Sequence, residues 1–303
     1  MYALCGASLS DPGSWRGLVN PRAGAYEREL LDWAGVESGQ LPAMAQWSAL
    51  NEAGGRIAGL PAGTPVAVGM NDFYAALHGM DVTAPGAVFD ITGTSEHFGV
   101  VTDELIRGGL ISSPYRGRFV HYGVTAGSGP SLSWGRRMFG ENDPPFCRAA
   151  PIFLPYLRGE RAPVFDPDAR GMFVGLSEDT DRDAMSYAIL EGVAFSLKDI
   201  HEKLNAPAVH EITATGGATA SDTLNRMKAS LFNAPLIARR GTCGSAVGAA
   251  TLAGAVIREE PVIYMPDEAL HERMCARYAV YRRMYAAWRE MTQDADSREM
   301  FGG

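Results

Sequence analysis

The stretch VAVGMNDFYAALHG, residues 66–79, decides how this chain reads. Val66 to Met70 form an apolar run of strand character, and Phe73, Ala76 and Leu77 then recur at helical spacing, so Asp72 stands at the junction of strand and helix. A carboxylate placed there can reach a bound ligand. About thirteen residues on comes FDITGTSEHF, residues 89–98, a second β-rich run broken by Gly93-Thr94-Ser95. That small-residue turn is suited to holding phosphate oxygens, since successive backbone N–H groups form anion-binding concavities.

Working outward, YERELLDW (26–33) predicts a short helix through Leu30, Leu31 and Trp33, closed by Gly35. Pro85-Gly86 makes a turn into a strand at 87–91, and further strands at 98–102 and 119–124 suggest a β-meander, followed by a helix over 131–139. Short strands around a Pro-rich turn are expected in 152–176. Met185, Ile189, Val193, Leu197, Ile200 and Leu204 then repeat at intervals of three and four, with Thr180 and Asp183 as a T-x-x-D start signal. A strand at 211–215 runs into GGATAS (216–221), which opens a helix carrying Leu224, Met227 and Leu231. GSAVGAATLAGAV (244–256) reads as a small-residue helix able to pack closely, and 268–291 as a final helix burying Leu270, Met274, Tyr278, Tyr281, Tyr285 and Trp288.

The 303 residues are enough to bury a large core, and 46% hydrophobic with 20% charged residues is globular composition. A net charge of -8 argues against nucleic acid as a partner, which needs a basic face, but not against a nucleotide, whose charge a few N–H groups and one Mg²⁺ offset locally. Cys5, Cys147, Cys243 and Cys275 show neither zinc spacing nor a disulfide framework, and a reducing cytoplasm is the expected location. No apolar run reaches the roughly 18 residues of a membrane span.

For Asp72 two roles compete: a general base, with Phe73 and Tyr74 keeping water from it, or simply the N-cap of the following helix. Gly93 and Thr94 can offer an N–H and a hydroxyl to a terminal phosphate, although such a turn is ordinary by itself. Gly216-Gly217-Ala218 follows a strand and starts a helix, where free N–H groups favour an anion or a polar ring edge; the third glycine of a dinucleotide fingerprint is missing. Glu160, Arg161, Asp166, Asp168 and Arg170 read as an ion-paired loop pinning two strands. No histidine pair has metal spacing, and neither GxSxG nor a nucleophilic cysteine context is present.

In this order, the segments resemble the FGGY family of carbohydrate kinases, which transfer the γ-phosphoryl group of ATP to a sugar or polyol hydroxyl. LPAGTPVAVGMNDFYAALHG and PGAVFDITGTSEHFGVV look like its catalytic-aspartate segment and its GT phosphate turn. Residues 153–200 look like its PYLxGER…P…DPxARGxFxGL…EGVAF pattern, and EITATGGATASDTLNRMKASLFNAPL like its adenine-side motif. The resemblance implies an α/β fold of the actin-like, ribonuclease-H-like kind, with 1–84 as the end of the sugar-binding N-terminal domain and 85–303 as the nucleotide-binding C-terminal domain. It implies ATP and Mg²⁺ as cofactors, Asp72 as base, Gly93, Thr94 and Gly129 near the phosphates, and Gly217, Ala218 and Ser221 along the adenosine. The family's opening DxGT loop has no counterpart here. The alternative expectation is therefore a silent nucleotide-binding fragment or one half of a split kinase, with a homodimer or a separate N-terminal-domain chain as partner.

Overall fold

The β-branched and aromatic runs downstream of residue 87 build one mixed sheet, and the apolar stripes of six helices cover its two faces. The computed structural model describes residues 1–15, 17–20, 22–93, 95–107, 110–240, 243–257 and 260–293. In chain order the strands are β1 (Val88–Thr92), β2 (Glu96–Thr102), β3 (Ile111–Tyr115), β4 (Arg118–Thr125), β5 (Ile152–Leu154), β6 (Met172–Val174), β7 (Ile212–Gly216), β8 (Leu236–Arg239) and β9 (Val262–Tyr264). The seven-stranded sheet runs β9-β8-β7-β1-β2-β4-β3, while β5 and β6 pair with each other. β7 is parallel to β1 and β8; the remaining pairs in the large sheet are antiparallel. This is the expected ribonuclease-H-like plan of an antiparallel meander extended by parallel strands.

The main helices are α1 (Asp72–Gly79), α2 (Ser128–Phe139), α3 (Arg182–Leu204), α4 (Asp222–Phe232), α5 (Gly244–Leu252) and α6 (Glu268–Met291). Alternation along the strands splits their side chains between two cores. Phe98, Val100, Ile212 and Ala214 face Leu197 and Ile200 of α3, Leu224 and Leu231 of α4, and Tyr281 of α6. Phe89, Val101, Val120 and Tyr122 meet Phe73, Tyr74 and Leu77 of α1 on the other side. With both faces covered, β1 and β2 are mostly buried rather than alternately exposed. Ahead of α1, the chain forms short two-stranded ribbons and the helices Arg28–Ala34 and Glu52–Ala58. Among the described residues, no helix is long and apolar enough to cross a membrane.

Several expectations shift at element ends. The meander has an extra strand, β3, on its edge. α3 is capped by Asp181, whose carboxylate accepts Ala184 N–H at 2.8 Å, while Thr180 Oγ1 accepts Ser177 N–H in the preceding turn; the T-x-x-D signal was one residue out of register. The helix Arg28–Ala34 does end at Gly35 in the left-handed region, but it buries only Leu31 and leaves Trp33 86% exposed. After β7, residues Gly217–Ala220 make a 3-10 turn, and the α-helix begins at Asp222.

Candidate functional site

The register between β7 and β1 pairs Gly216 with Thr92, so the turn after β1 and the glycine turn after β7 lie side by side at one end of the sheet. The approach is close enough to require glycine. At φ 99°, a Cβ on Gly216 would fall 1.9 Å from the Thr92 carbonyl oxygen. β4 ends at the same edge, where Thr125 pairs with Glu96, and its chain passes through Gly127 into α2. Three of the segments singled out in the sequence, around Gly93, Gly129 and Gly217, thus emerge together from strands far apart in the chain. Thr94 lies outside the described residues.

Gly93 and Gly129 line one cleft of about 530 Å³, together with Ser133, Trp134, Arg137 and Arg158. An adjoining cleft of about 500 Å³ shares Pro130 and Arg158 with it and adds Ser95, Glu160 and Arg161. Neither Arg158 nor Arg161 was a sequence candidate, although their place in RGER was visible. A Cβ on Gly217 would meet nothing within 4 Å, so the surface there is open to a flat group. Ala218 is buried beneath it. Ser221 caps α4, its hydroxyl accepting Leu224 N–H at 3.0 Å and donating to Asp143, whose other oxygen accepts Thr223 N–H at 2.9 Å. This clasp closes one side of a recess of about 190 Å³ lined by Gly135, Arg136, Gly140 and Ser221. Asp143 was missed because nothing local links it to a helix start 78 residues away.

Asp72 opens α1, while the N-cap is its neighbour Asn71, whose side chain accepts Phe73 N–H at 3.0 Å. Asp72 Oδ1 accepts the same N–H at 2.8 Å, and the carboxylate is otherwise exposed. Phe73 and Tyr74 point into the core, so the expected apolar shielding of this carboxylate by their rings does not occur. Its surroundings are set instead by α5. Gly248 packs so closely that its Cβ would lie 1.7 Å from the Ala75 carbonyl oxygen, and Gly79 meets Gly244 and Gly248 in the same way. Cys243, just before α5, feels the Asp72 charge, which opposes the lowering of its thiol by the Ser245 hydroxyl and neighbouring N–H groups.

In the charged loop at 160–170, expected to pin two strands, Glu160 and Asp166 hold a set of hydrogen bonds. Glu160 is buried and accepts Thr125 Oγ1–H at 2.7 Å, Ala126 N–H at 2.6 Å and Arg161 N–H at 2.7 Å. Burial pushes its carboxyl up to about 7 against those donors. Asp166 accepts Tyr285 O–H at 2.9 Å and Asp168 N–H at 3.0 Å. Glu160 therefore pins the segment just ahead of Gly127 and Gly129. A larger cavity of about 770 Å³, lined in part by Asp11, Met44, Tyr74, His78 and Arg116, contains none of the candidate residues.

Residues 90–256 match the FGGY family of carbohydrate kinases, C-terminal domain. Among curated relatives, an apulose kinase of Pectobacterium atrosepticum is 29% identical over 299 residues, covering 90% of this chain and 60% of that protein. A xylulose kinase of Bacillus subtilis is 34% identical over 148 residues, covering 45% of this chain and 30% of that one. Among solved structures, a xyloylose kinase from Brucella ovis superposes with a TM-score of 0.85 at 26% identity, over 94% of this chain and 66% of its own. Plasmodium falciparum glycerol kinase with ADP shares the fold at a TM-score of 0.79 and 17% identity, over 95% and 65%. The chain spans less than two thirds of the length of these relatives. Its actin-like α/β architecture and its match over more than half its residues lead to one conclusion: the chain belongs to the FGGY family of carbohydrate kinases.

Proposed function

We propose that this chain supplies the nucleotide-binding half and the general base of an ATP-dependent kinase acting on a sugar or polyol hydroxyl. The observation that carries the reading is the convergence of the Gly93, Gly129 and Gly217 turns at one sheet end, fixed by the Gly216 to Thr92 register. In this reading 85–303 is the nucleotide-binding domain and 1–84 belongs to the sugar-binding domain. The open surface at Gly217 receives the adenosine, with Ala218 beneath it and Ser221 at its edge. Gly93, Thr94 and Gly129 approach the phosphates, and Arg158 and Arg161 contribute positive charge. The relatives named as apulose, xylulose and glycerol kinases support a small polyhydroxylated acceptor without selecting one.

The donor set fits a nucleotide better than a resident metal. Among the described residues, no three His, Cys, Asp or Glu side chains gather as a metal cage. Mg²⁺ would then be held largely through phosphate oxygens and water, and when bound would supply charge neutralisation of the phosphates. Asp72, exposed at the start of α1, takes the proton from the attacking hydroxyl; positioning and charge stabilisation by the glycine turns and arginines account for the rest. The free thiols and the proposed use of ATP support a cytoplasmic location.

Asp72→Asn tests the assignment. Phosphoryl transfer should be lost while ATP affinity measured by calorimetry stays within about twofold, a difference of about 0.4 kcal/mol. Full turnover by that variant refutes the role. Exposed apolar side chains ahead of α1 favour one second reading, a half that works with a separate N-terminal-domain chain or as a homodimer. Trp33, Trp47, Ile57 and Leu60 are exposed in the part that such a partner would meet. A monodisperse monomer that phosphorylates sugar unaided would eliminate it.

A further inference from the structure

Behind the phosphate turn lies an ionic cluster that the proposed mechanism does not use. Lys228, on the second turn of α4, is 2% exposed; Asp90 on β1 is 1% and Glu96 at the start of β2 is 0% exposed. Lys228 Nζ donates to Asp90 Oδ2 and to Glu96 Oε1, each at 2.6 Å. Thr92 Oγ1 donates to the same Glu96 oxygen at 2.7 Å. Glu96 pairs with Thr92 on one side and Thr125 on the other, so it closes the turn containing Gly93 and sits beside the strand end that leads to Gly129. Among the described residues its second oxygen has no hydrogen bond of ordinary length, nor does the fully buried Ser128 Oγ, which opens α2. Ser128 is nevertheless near enough to favour the ionised Glu96.

We infer that Lys228 and Glu96 are positioning residues, a buried cross-link that holds the Gly93 turn, the Gly129 helix start and α4 in the mutual placement needed to receive a polyphosphate. The inference rests on the nucleotide reading of the site. Three arguments support it. The cluster ties the root of the Gly93 turn to α4 through side-chain hydrogen bonds and borders the Gly129 helix start through the pairing of Glu96 with Thr125. Ions removed from water are costly unless paired, so the placement of each partner is tightly constrained by the others. Finally, the cluster limits the negative charge behind a phosphate site: Lys228 Nζ lies 2.6 Å from both carboxylates, burial with Glu96 adding to it pushes Asp90 toward its neutral form, and Lys228 favours the ionised Glu96.

The test compares the wild type with Glu96→Gln and with the charge-neutral pair Lys228→Met/Glu96→Gln, which leaves no unpaired buried charge if the single variant fails to fold. Hydrogen exchange of the free protein is followed over peptides covering 88–98, 125–134 and, as a control, 182–204. Calorimetry measures ADP and adenosine in parallel. The expected result is exchange faster by about tenfold or more in the first two peptides but not in the control, with ADP weakened about tenfold and adenosine within about twofold. Exchange unchanged in both turn peptides overturns the inference, and so does an equal loss for ADP and adenosine, the signature of a merely structural role. If wild type binds neither ligand, the nucleotide reading fails by itself, and the exchange result alone decides whether the cluster positions these segments.

Discussion

Replacing Glu160 by glutamine isolates a buried acid beside the Gly127 and Gly129 segment whose protonation reaches neutral pH. Burial raises its carboxyl from 4.5 to about 7, and the donors from Thr125, Ala126 and Arg161 keep it from rising further. Between those two values the folded protein holds a proton that the unfolded chain has released. Stability therefore falls as pH rises through this window, is unaffected below it, and levels off above about pH 7. A displacement of about 2.5 units at 1.36 kcal/mol each gives a loss of about 3 kcal/mol, an upper figure for one carboxyl. Glutamine mimics the protonated acid. Its oxygen can keep both N–H donors, and its amide can donate to Thr125 Oγ1, which accepts Gly127 N–H at 3.0 Å and has a second lone pair.

The assay is urea unfolding followed by tryptophan fluorescence at several values from about pH 4.5 to about pH 8, for wild type and Glu160→Gln side by side. Because Asp90, Glu191 and Asp199 are also raised by burial, the quantity that matters is the difference between the two proteins. Near the acid end the two should be about equally stable, and the variant should gain on wild type by about 3 kcal/mol across the window. Parallel curves would show that Glu160 does not hold its proton in the folded state, and the account of burial dominating over its donors would be wrong.

Two further predictions concern the carboxylate side. Gly248→Ala would push a methyl group into the Ala75 carbonyl, and a loss of about 1–3 kcal/mol or more is expected by chemical denaturation; an unchanged midpoint would mean that α1 and α5 are less tightly packed than they stand here. Cys243 is exposed, and its thiol is lowered by Ser245 and the N–H groups at the start of α5, so it should alkylate ahead of the partly buried Cys5 and Cys147. Peptide mapping after brief iodoacetamide treatment reads this directly, and prior labelling at Cys147 would contradict it.

How much of this was legible in the sequence differs by element. The strand-to-helix junction at Asp72, the turn at Gly93 and the helices Arg182–Leu204 and Glu268–Met291 were readable because each depends on local spacing. β3 was not, since Pro114 argues against a strand; it is tolerated because β3 is the outermost strand of the sheet. The pairing of Gly216 with Thr92 joins strands more than a hundred residues apart, and no periodicity encodes such a register. Lys228 did leave a signal that went unread. It lies four residues after Leu224 and three before Leu231, on the buried stripe of α4, where a lysine is rarely found unless paired. The candidate site was thus visible as separate turns, whereas the ionic cluster beside them depended on tertiary structure.

That division bears on how Asp72 is tied to the nucleotide side. α1 carries the carboxylate at its first residue, and α5 follows directly from β8, the strand next to β7. Gly244 and Gly248 remove the side chains that would separate the helices, so backbone meets backbone at Ala75 and Gly79, and a would-be Cβ on Gly244 lies 3.3 Å from Thr215 Cγ2. Thr215 directly precedes Gly216. The path from Asp72 to the Gly217 surface therefore passes through closely packed backbone with almost no flexible side chain along it. A contact of that kind transmits displacement rather than absorbing it. In the proposed reading, with α1 on the 1–84 side of the boundary and α5 on the other, this backbone contact is where the two parts of the chain are held against each other, so a movement between them would have to work against it.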